Sequence, residues 1–262
     1  MLRVIIDSFN YILKTRSVWW FTASSKTRAR YVRTVLGSLW LGISNLLVIC
    51  ILGLVYGIVF KVPDIKEYFI YLGIGFSIWS TLGGALNSSP TILENNSNNI
   101  LNLKIHPVFY VMEEWAFQFQ TFLQSFAILL IFIGFLSPQI LINFIVFSPI
   151  HILNLSLFIL WLPLIICLLA SKYQDLYQLI PIITQLIFLI SPIFYTERNL
   201  GELQNIANFN PIYKVLALLR DSMMNGSLYF KASFILLIIN LIMVFVSFMV
   251  LHKSKKHLVF YI

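Results

Sequence analysis

The chain has 262 residues, of which 59% are hydrophobic, 16% aromatic and 11% charged, with a mean hydropathy of +0.87. Soluble domains run at about 45–50% apolar and about 25% charged, so this composition excludes a water-covered globule and points to lipid as the solvent. The net charge of +8 has no soluble face on which to form a nucleic-acid patch, so membrane topology rather than nucleic acid is its reading.

Residues 1–33 read as a cytoplasmic interface arm. Asp7, Asn10, Lys14 and Arg16 interrupt any apolar core and no small-residue cleavage site follows, so the first twenty residues do not read as a signal peptide. Val4, Ile5, Phe9, Ile12 and Leu13 recur at near-helical spacing opposite Asp7, Asn10 and Lys14, and Trp19 and Trp20 follow. This pattern predicts an amphipathic helix in the membrane interface, either a working arm or a plain anchor for the first span.

A crossing helix needs roughly 20 apolar residues. Six segments are read as spans: 36–60, 68–86, 109–136, 140–170, 177–195 and 232–251. The third has Glu113 and Glu114 at its interfacial start. The fourth lacks formal charge over 31 residues, long for one crossing and short for two, so it is read as one tilted or Pro163-bent helix. The fifth carries Pro181 and Pro192. Cys50 and Cys167 lie in apolar runs and read as small buried hydrophobes.

Two connections are unusual. Residues 87–108 contain Asn87, Asn95, Asn96, Asn98, Asn99 and Asn102 with Glu94 and Lys104, interleaved with Ile92, Leu93, Ile100, Leu101 and Leu103. A bare connector is shorter and less apolar. A short helix docked on a partner protein fits, as does an interfacial helix packed on its own chain. In the loop 196–231, the apolar stretch 212–219 is too short to span and too greasy for a free loop, which predicts half-inserted re-entrant helices or a small outer cap. Pro192 precedes it, where a helix breaks at the membrane edge.

An even number of spans puts both termini on one side. Twelve of the 18 basic residues fall there: Arg3, Lys14, Arg16, Lys26, Arg28, Arg30 and Arg33 in the arm, Lys253, Lys255 and Lys256 in the tail, and Lys104 and Lys172 in loops. Lys61, Lys66, Arg198, Lys214, Arg220 and Lys231 lie opposite. The bias predicts cytoplasmic termini.

Catalytic patterns are missing. The spans contain no His-x-x-x-His, no carboxylate pair at spacing three or four and no Gly-x-Ser-x-Gly, and the chain has no Gly-x-x-x-x-Gly-Lys-Ser/Thr. His106, His151, His252 and His257 are scattered, so neither a catalytic nor a metal site is expected. The span centres lack acidic and basic residues, which argues against a proton-coupled transporter or a charged channel filter. Any energy must come from a partner. Trp40, Tyr56, Phe60, Tyr71, Phe76, Trp79, Phe117, Phe119 and Phe122 supply either a stacking wall for sugar rings or lipid-facing bulk. Gly53 and Gly57 form a Gly-x-x-x-Gly that permits close helix contact and weakly favours a dimer.

The ordered motifs carry a family likeness. Lys26-Thr-Arg-Ala-Arg-Tyr-Val-Arg-Thr-Val-Leu-Gly-Ser-Leu-Trp40, Tyr71-Leu-Gly-Ile-Gly-Phe-Ser-Ile-Trp79, Glu94-Asn-Asn-Ser-Asn-Asn-Ile-Leu-Asn102 and Lys104-Ile-His-Pro107 come first. Lys172-Tyr-Gln-Asp-Leu176, Ser191-Pro-Ile-Phe-Tyr195 and Asn210-Pro-Ile-Tyr213 complete the set. In this order they resemble type-2 ATP-binding-cassette exporter permeases, most closely the polysaccharide branch that exports O-antigen, capsule and teichoic acid. Ser38 and Asn45 stand where that family often has proline.

The resemblance implies an all-α integral membrane protein of six spans with an interface helix, cytoplasmic coupling and gate helices, and outer re-entrant helices. It implies a bacterial inner (plasma) membrane permease that exports a lipid-linked glycan. The permease would pair with a second copy of itself and with two copies of a cytoplasmic ATPase. ATP and Mg would be bound by that ATPase, so this chain would hold no cofactor and would not itself be an enzyme. Glu94, Asn95, Asn98, Asn99 and Lys104 would contact the ATPase, and Trp40, Tyr71 and Trp79 would line the substrate path. Arg28, Arg30 and Arg33 lie where a diphosphate head group would meet the interface, a role arginine geometry suits, although a topology-setting patch fits equally. Export of a drug or small lipid shares the fold, and a membrane scaffold without transport is a further alternative.

Overall fold

A proline can start a helix at no hydrogen-bonding cost but removes a backbone bond from a helix interior, and a polar side chain can end one by capturing its own backbone. These two effects divide a nearly continuous apolar chain into helices. The computed structural model describes residues 2–103, 105–195 and 209–261, and those residues include helices but no strand.

The arm is two helices, α1 (Leu2–Lys14) and α2 (Arg16–Tyr31). They break at Thr15, whose hydroxyl donates to the Tyr11 carbonyl at 2.8 Å. Trp19 bridges the break by donating its indole N–H to the Ile12 carbonyl at 3.1 Å. Trp19 is therefore buried, whereas Trp20 is 40% exposed. The helix runs well past the tryptophans to Tyr31. After Gly37, in the left-handed region at φ 56°, come α3 (Trp40–Val59) and α4 (Ile65–Ser88), the latter capped by Asp64 accepting from the Glu67 N–H at 3.0 Å.

Short turns then lead through α5 (Ser97–Asn102) to α6 (Val108–Leu136), α7 (Pro138–Phe147), α8 (Pro149–Ala170), α9 (Leu176–Ile190), α10 (Pro211–Asn225) and α11 (Phe230–Tyr261). Five helical stretches are long and apolar enough to cross a membrane: Gly37–Val59, Ile65–Thr91, Val108–Leu136, Pro149–Ala170 and Phe230–Ser254.

Two expectations change. The charge-free stretch 140–170 is two helices, not one, because Pro149 starts α8 directly after Ser148 ends α7; Pro163 lies inside α8 without breaking it. The segment 177–195 is helical only to Ile190. At 15 residues, α9 is about 22 Å long and falls short of the roughly 30 Å hydrocarbon core.

α4 is the central helix, packed on α3, α6, α8, α9 and α10, with Leu72, Ile74, Ile78 and Leu82 at most 1% exposed. α3 approaches it through glycine. A Cβ on Gly53 would lie 2.5 Å from a ring carbon of Phe69, and one on Gly57 would lie 3.8 Å from Tyr68. Gly53 of the Gly-x-x-x-Gly motif is thus spent on α4 inside the chain. Along α8 and α11, Asn240 donates to the Asn154 amide oxygen at 3.0 Å and accepts from the Trp161 indole at 3.0 Å. Polar groups facing each other across helices in an apolar solvent must pair, and these do.

Candidate functional site

Polar chemistry gathers at the two ends of the bundle. At one end, Ile12, Trp19 and Ala23 of the arm pack with Ile92, Leu93 and Ile100 of the asparagine-rich segment, Val108 of α6, Cys167 of α8 and Leu251 of α11. α1 also contacts α11, so the N-terminal and C-terminal helices share this end.

Ile92, Leu93 and Ile100 of the asparagine-rich segment face this core, which leaves its polar residues outside. Glu94, Asn95, Asn98 and Asn99 are all exposed, as are Leu101 and Leu103. Asn96 turns back to donate to the Ile92 carbonyl at 2.8 Å, holding the turn. The result is a polar ridge with apolar tips on a packed base. Lys104 lies outside the described residues.

A seam joins the arm to the start of α6. Lys26 lies 3.2 Å from the buried Glu113 carboxylate and 3.7 Å from Glu114. Glu114 also accepts from Gln118 at 2.8 Å. Gln120 accepts from Ser24 at 3.0 Å and donates to the Trp20 carbonyl at 3.2 Å. Trp19 meets the Trp115 ring edge-on at 5.8 Å. Sequence reasoning placed Glu113 and Glu114 at an interface but missed their partner. Glu113 and Gln120 stand seven residues apart and Glu114 and Gln118 four; those are helix-face spacings that signal a polar stripe.

Arg28, Arg30 and Arg33 are exposed near the end of α2, and the Arg30 guanidinium stands 5.1 Å above the Phe117 ring. The three share one region at the end of α2.

The aromatic residues singled out from sequence separate. Trp40 begins α3 and is half-buried. Trp79 is buried and stacks on Phe188 of α9 at 5.2 Å. Tyr71 donates to the carbonyls of Pro192 at 2.9 Å and Tyr195 at 3.1 Å. Tyr71 and Trp79 thus hold α4 to the α9 region, away from Trp40.

Tyr71 belongs to a cluster at the opposite end that the sequence did not reveal. Arg220 of α10 is 2% exposed. Its guanidinium donates to the Pro192 carbonyl at 2.8 Å, the Tyr213 hydroxyl at 3.1 Å and the Asp221 carboxylate at 3.0 Å. It also lies 4.0 Å above the Tyr71 ring. A planar cation with several fixed donors is suited to this mixed polar and aromatic cage.

Backbone chemistry fixes α10 around that cage. Asn210 accepts from the Ile212 N–H at 3.0 Å and donates to Ser191 at 3.2 Å. Gly226 ends the helix in the left-handed region at φ 60°. Asn143 of α7 donates to the Met223 carbonyl at 2.8 Å. The one sequence signal for the cage is Tyr213, seven residues before Arg220 and so on the same helical face.

Among the described residues no group of three or more His, Cys, Asp and Glu side chains could hold a metal. The arrangement provides an exposed polar ridge, a polar seam and a buried clamp. No curated protein matches the chain. The sequence model of the ABC-2 type transporter family matches residues 20–224, from within α2 almost to the end of α10. The chain belongs to the ABC-2 type transporter family, as the multi-pass membrane permease subunit of an ABC transporter that associates with an ATP-binding-cassette ATPase.

Proposed function

We propose that this permease exports a lipid-linked polysaccharide such as O-antigen across the bacterial inner membrane. It acts as a homodimer driven by two copies of a cytoplasmic ATPase that bind ATP and Mg. Both termini are cytoplasmic. The chain crosses six times, with α9 and the residues after it completing the fifth crossing. The arm lies in the membrane interface, and α10 is a re-entrant helix of the outer side.

The single observation that carries this reading is the exposed ridge of Glu94, Asn95, Asn98 and Asn99 on the core shared by the arm, α6, α8 and α11. A push on that ridge meets a packed base and moves the helices beneath it. α3 and α9 both expose apolar faces, including Leu47, Ile51 and Leu54 on one and Ile182, Leu186 and Leu189 on the other. These faces suit pairing with a second copy around the path. Trp40 stands at the mouth of that path, and Tyr71 and Trp79 shape its wall from behind. Arg28, Arg30 and Arg33 receive the lipid diphosphate before transfer.

Two measurements test this function. In cells deleted for the chain, surface glycan should disappear and lipid-linked glycan should accumulate on the cytoplasmic leaflet. Intact surface glycan combined with new sensitivity to amphiphilic drugs would favour the drug or small-lipid exporter instead. Charge reversal of Arg30 and Arg33 should abolish export with insertion intact, whereas normal export in that variant would remove the phosphate role. Replacing Asn98 and Asn99 with arginine should uncouple the co-purified ATPase from transport.

A further inference from the structure

α10 and α11 run antiparallel from the turn at Gly226 and enclose a groove of about 380 Å³, within the range of about 300–1,000 Å³ typical of ligand sites. Its walls are mainly apolar: Ala217 and Leu218 on α10, Ile235, Leu236 and Ile239 on α11. Ile235 and Ile239 are about half exposed, whereas Leu236 is 8% exposed and forms the floor. The groove lies beside a helix long and apolar enough to cross a membrane.

Two charged side chains line these walls, one towards each end. Asp221 and Tyr229 line its end near the turn, and Lys214 lines the other. Lys214 precedes Asp221 by seven residues, so it lies about 10 Å further from the turn. On α11 the groove extends to Ile239, about 15 Å along the helix from Tyr229. With α10 the outer re-entrant helix proposed above, on which this inference rests, and with Phe230 the start of the long apolar helix, Lys214 would stand within the depth of the outer hydrocarbon. It is exposed and makes no ion pair among the described residues. Asp221 does not serve it, being held by Arg220 at 3.0 Å. A solitary ammonium at such depth is costly without an anion, and such residues mark binding sites.

We infer that the groove between α10 and α11 binds one anionic phospholipid of the outer leaflet, its phosphate on Lys214 and an acyl chain against Ala217, Leu218 and Leu236. The charge selects an anion, and the apolar walls facing the bilayer select one that carries a hydrocarbon chain. A free phosphate would leave those walls uncovered. This site does not depend on which substrate the permease exports.

The test uses the full-length permease with its ATPase in detergent, titrated with phosphatidylglycerol and read by native mass spectrometry. Diacylglycerol, which lacks phosphate, and inorganic phosphate, which lacks the chain, are parallel arms. One phosphatidylglycerol should bind per chain, and Lys214→Ala should weaken it about tenfold while Lys214→Arg retains it. Leu236→Trp, which fills the floor and keeps the lysine, should also remove binding; if that variant does not fold, Ala217→Leu tests the same space. Unchanged binding in Lys214→Ala, or diacylglycerol binding as strongly as phosphatidylglycerol, would overturn the site. So would full displacement of the lipid by millimolar inorganic phosphate.

Discussion

The two ends of this molecule are held by opposite strategies. At the end that carries both terminal helices, the ridge and the arm rest on an apolar core. They are tied to α6 by several modest bonds, led by a Lys26 that is 42% exposed at its side chain. At the other end, one fully buried guanidinium fastens α10 to Tyr71, Tyr213 and the Pro192 carbonyl. Many weak contacts can be exchanged one at a time, whereas a buried charge is either satisfied or very costly. The first end can therefore adjust to a moving partner, and the second keeps α10 in place.

The largest expected effect breaks the clamp. Arg220→Met should destabilise the protein by about 3–5 kcal/mol, seen as a fall in thermal unfolding temperature in detergent. Arg220→Lys should not restore it, because an ammonium cannot occupy the planar cage. A midpoint equal to the parent would show that α10 is held by its apolar face alone.

Packing between the ends comes next. Gly53→Leu should cost about 1–3 kcal/mol by forcing α3 from the Phe69 ring. Gly57→Ala should be nearly silent, since a Cβ there makes ordinary contact. The same pair of variants separates an internal seam from a dimer seam: cross-linking to a second copy should be unaffected by Gly57→Ala.

A smaller effect is expected within α8 and α11. Asn240→Leu removes bonds to Asn154 and Trp161 and should cost about 0.6–2 kcal/mol, measurable by the same melt. The smallest change in stability belongs to the seam. Lys26→Gln, which keeps a donor for buried Glu113, should alter the melt by less than about 1 kcal/mol, yet it should lower ATPase stimulation by the permease. Equal stimulation would show that the arm is only an anchor.

The periodic and compositional parts of the fold were legible. Five of the long apolar runs appear as long helices, and the interleaving of Ile92, Leu93 and Ile100 with asparagines translates into an inward and an outward face. The break at Ser148–Pro149 was not legible, because apolar composition is the same whether a proline starts a helix or bends one. Arg220 was hidden for a different reason. Charge counting treats every basic residue of an outer loop as solvated, and its burial depends on Tyr71, which is distant in sequence. Gly53 shows the same limit: the motif announces a close neighbour without saying whose.

One consequence of α4 concerns how force crosses the membrane. Its first turns carry Tyr68 and Tyr71, bonded to Phe194 and Pro192, and its last residue leads directly into the turns that bear Glu94. With 24 residues, it is a strut about 36 Å long, and its buried interior contains no proline. A strut without a joint cannot absorb displacement as bending. A tilt imposed at the ridge must reappear at Tyr71, so the clamp at one end registers what happens at the other.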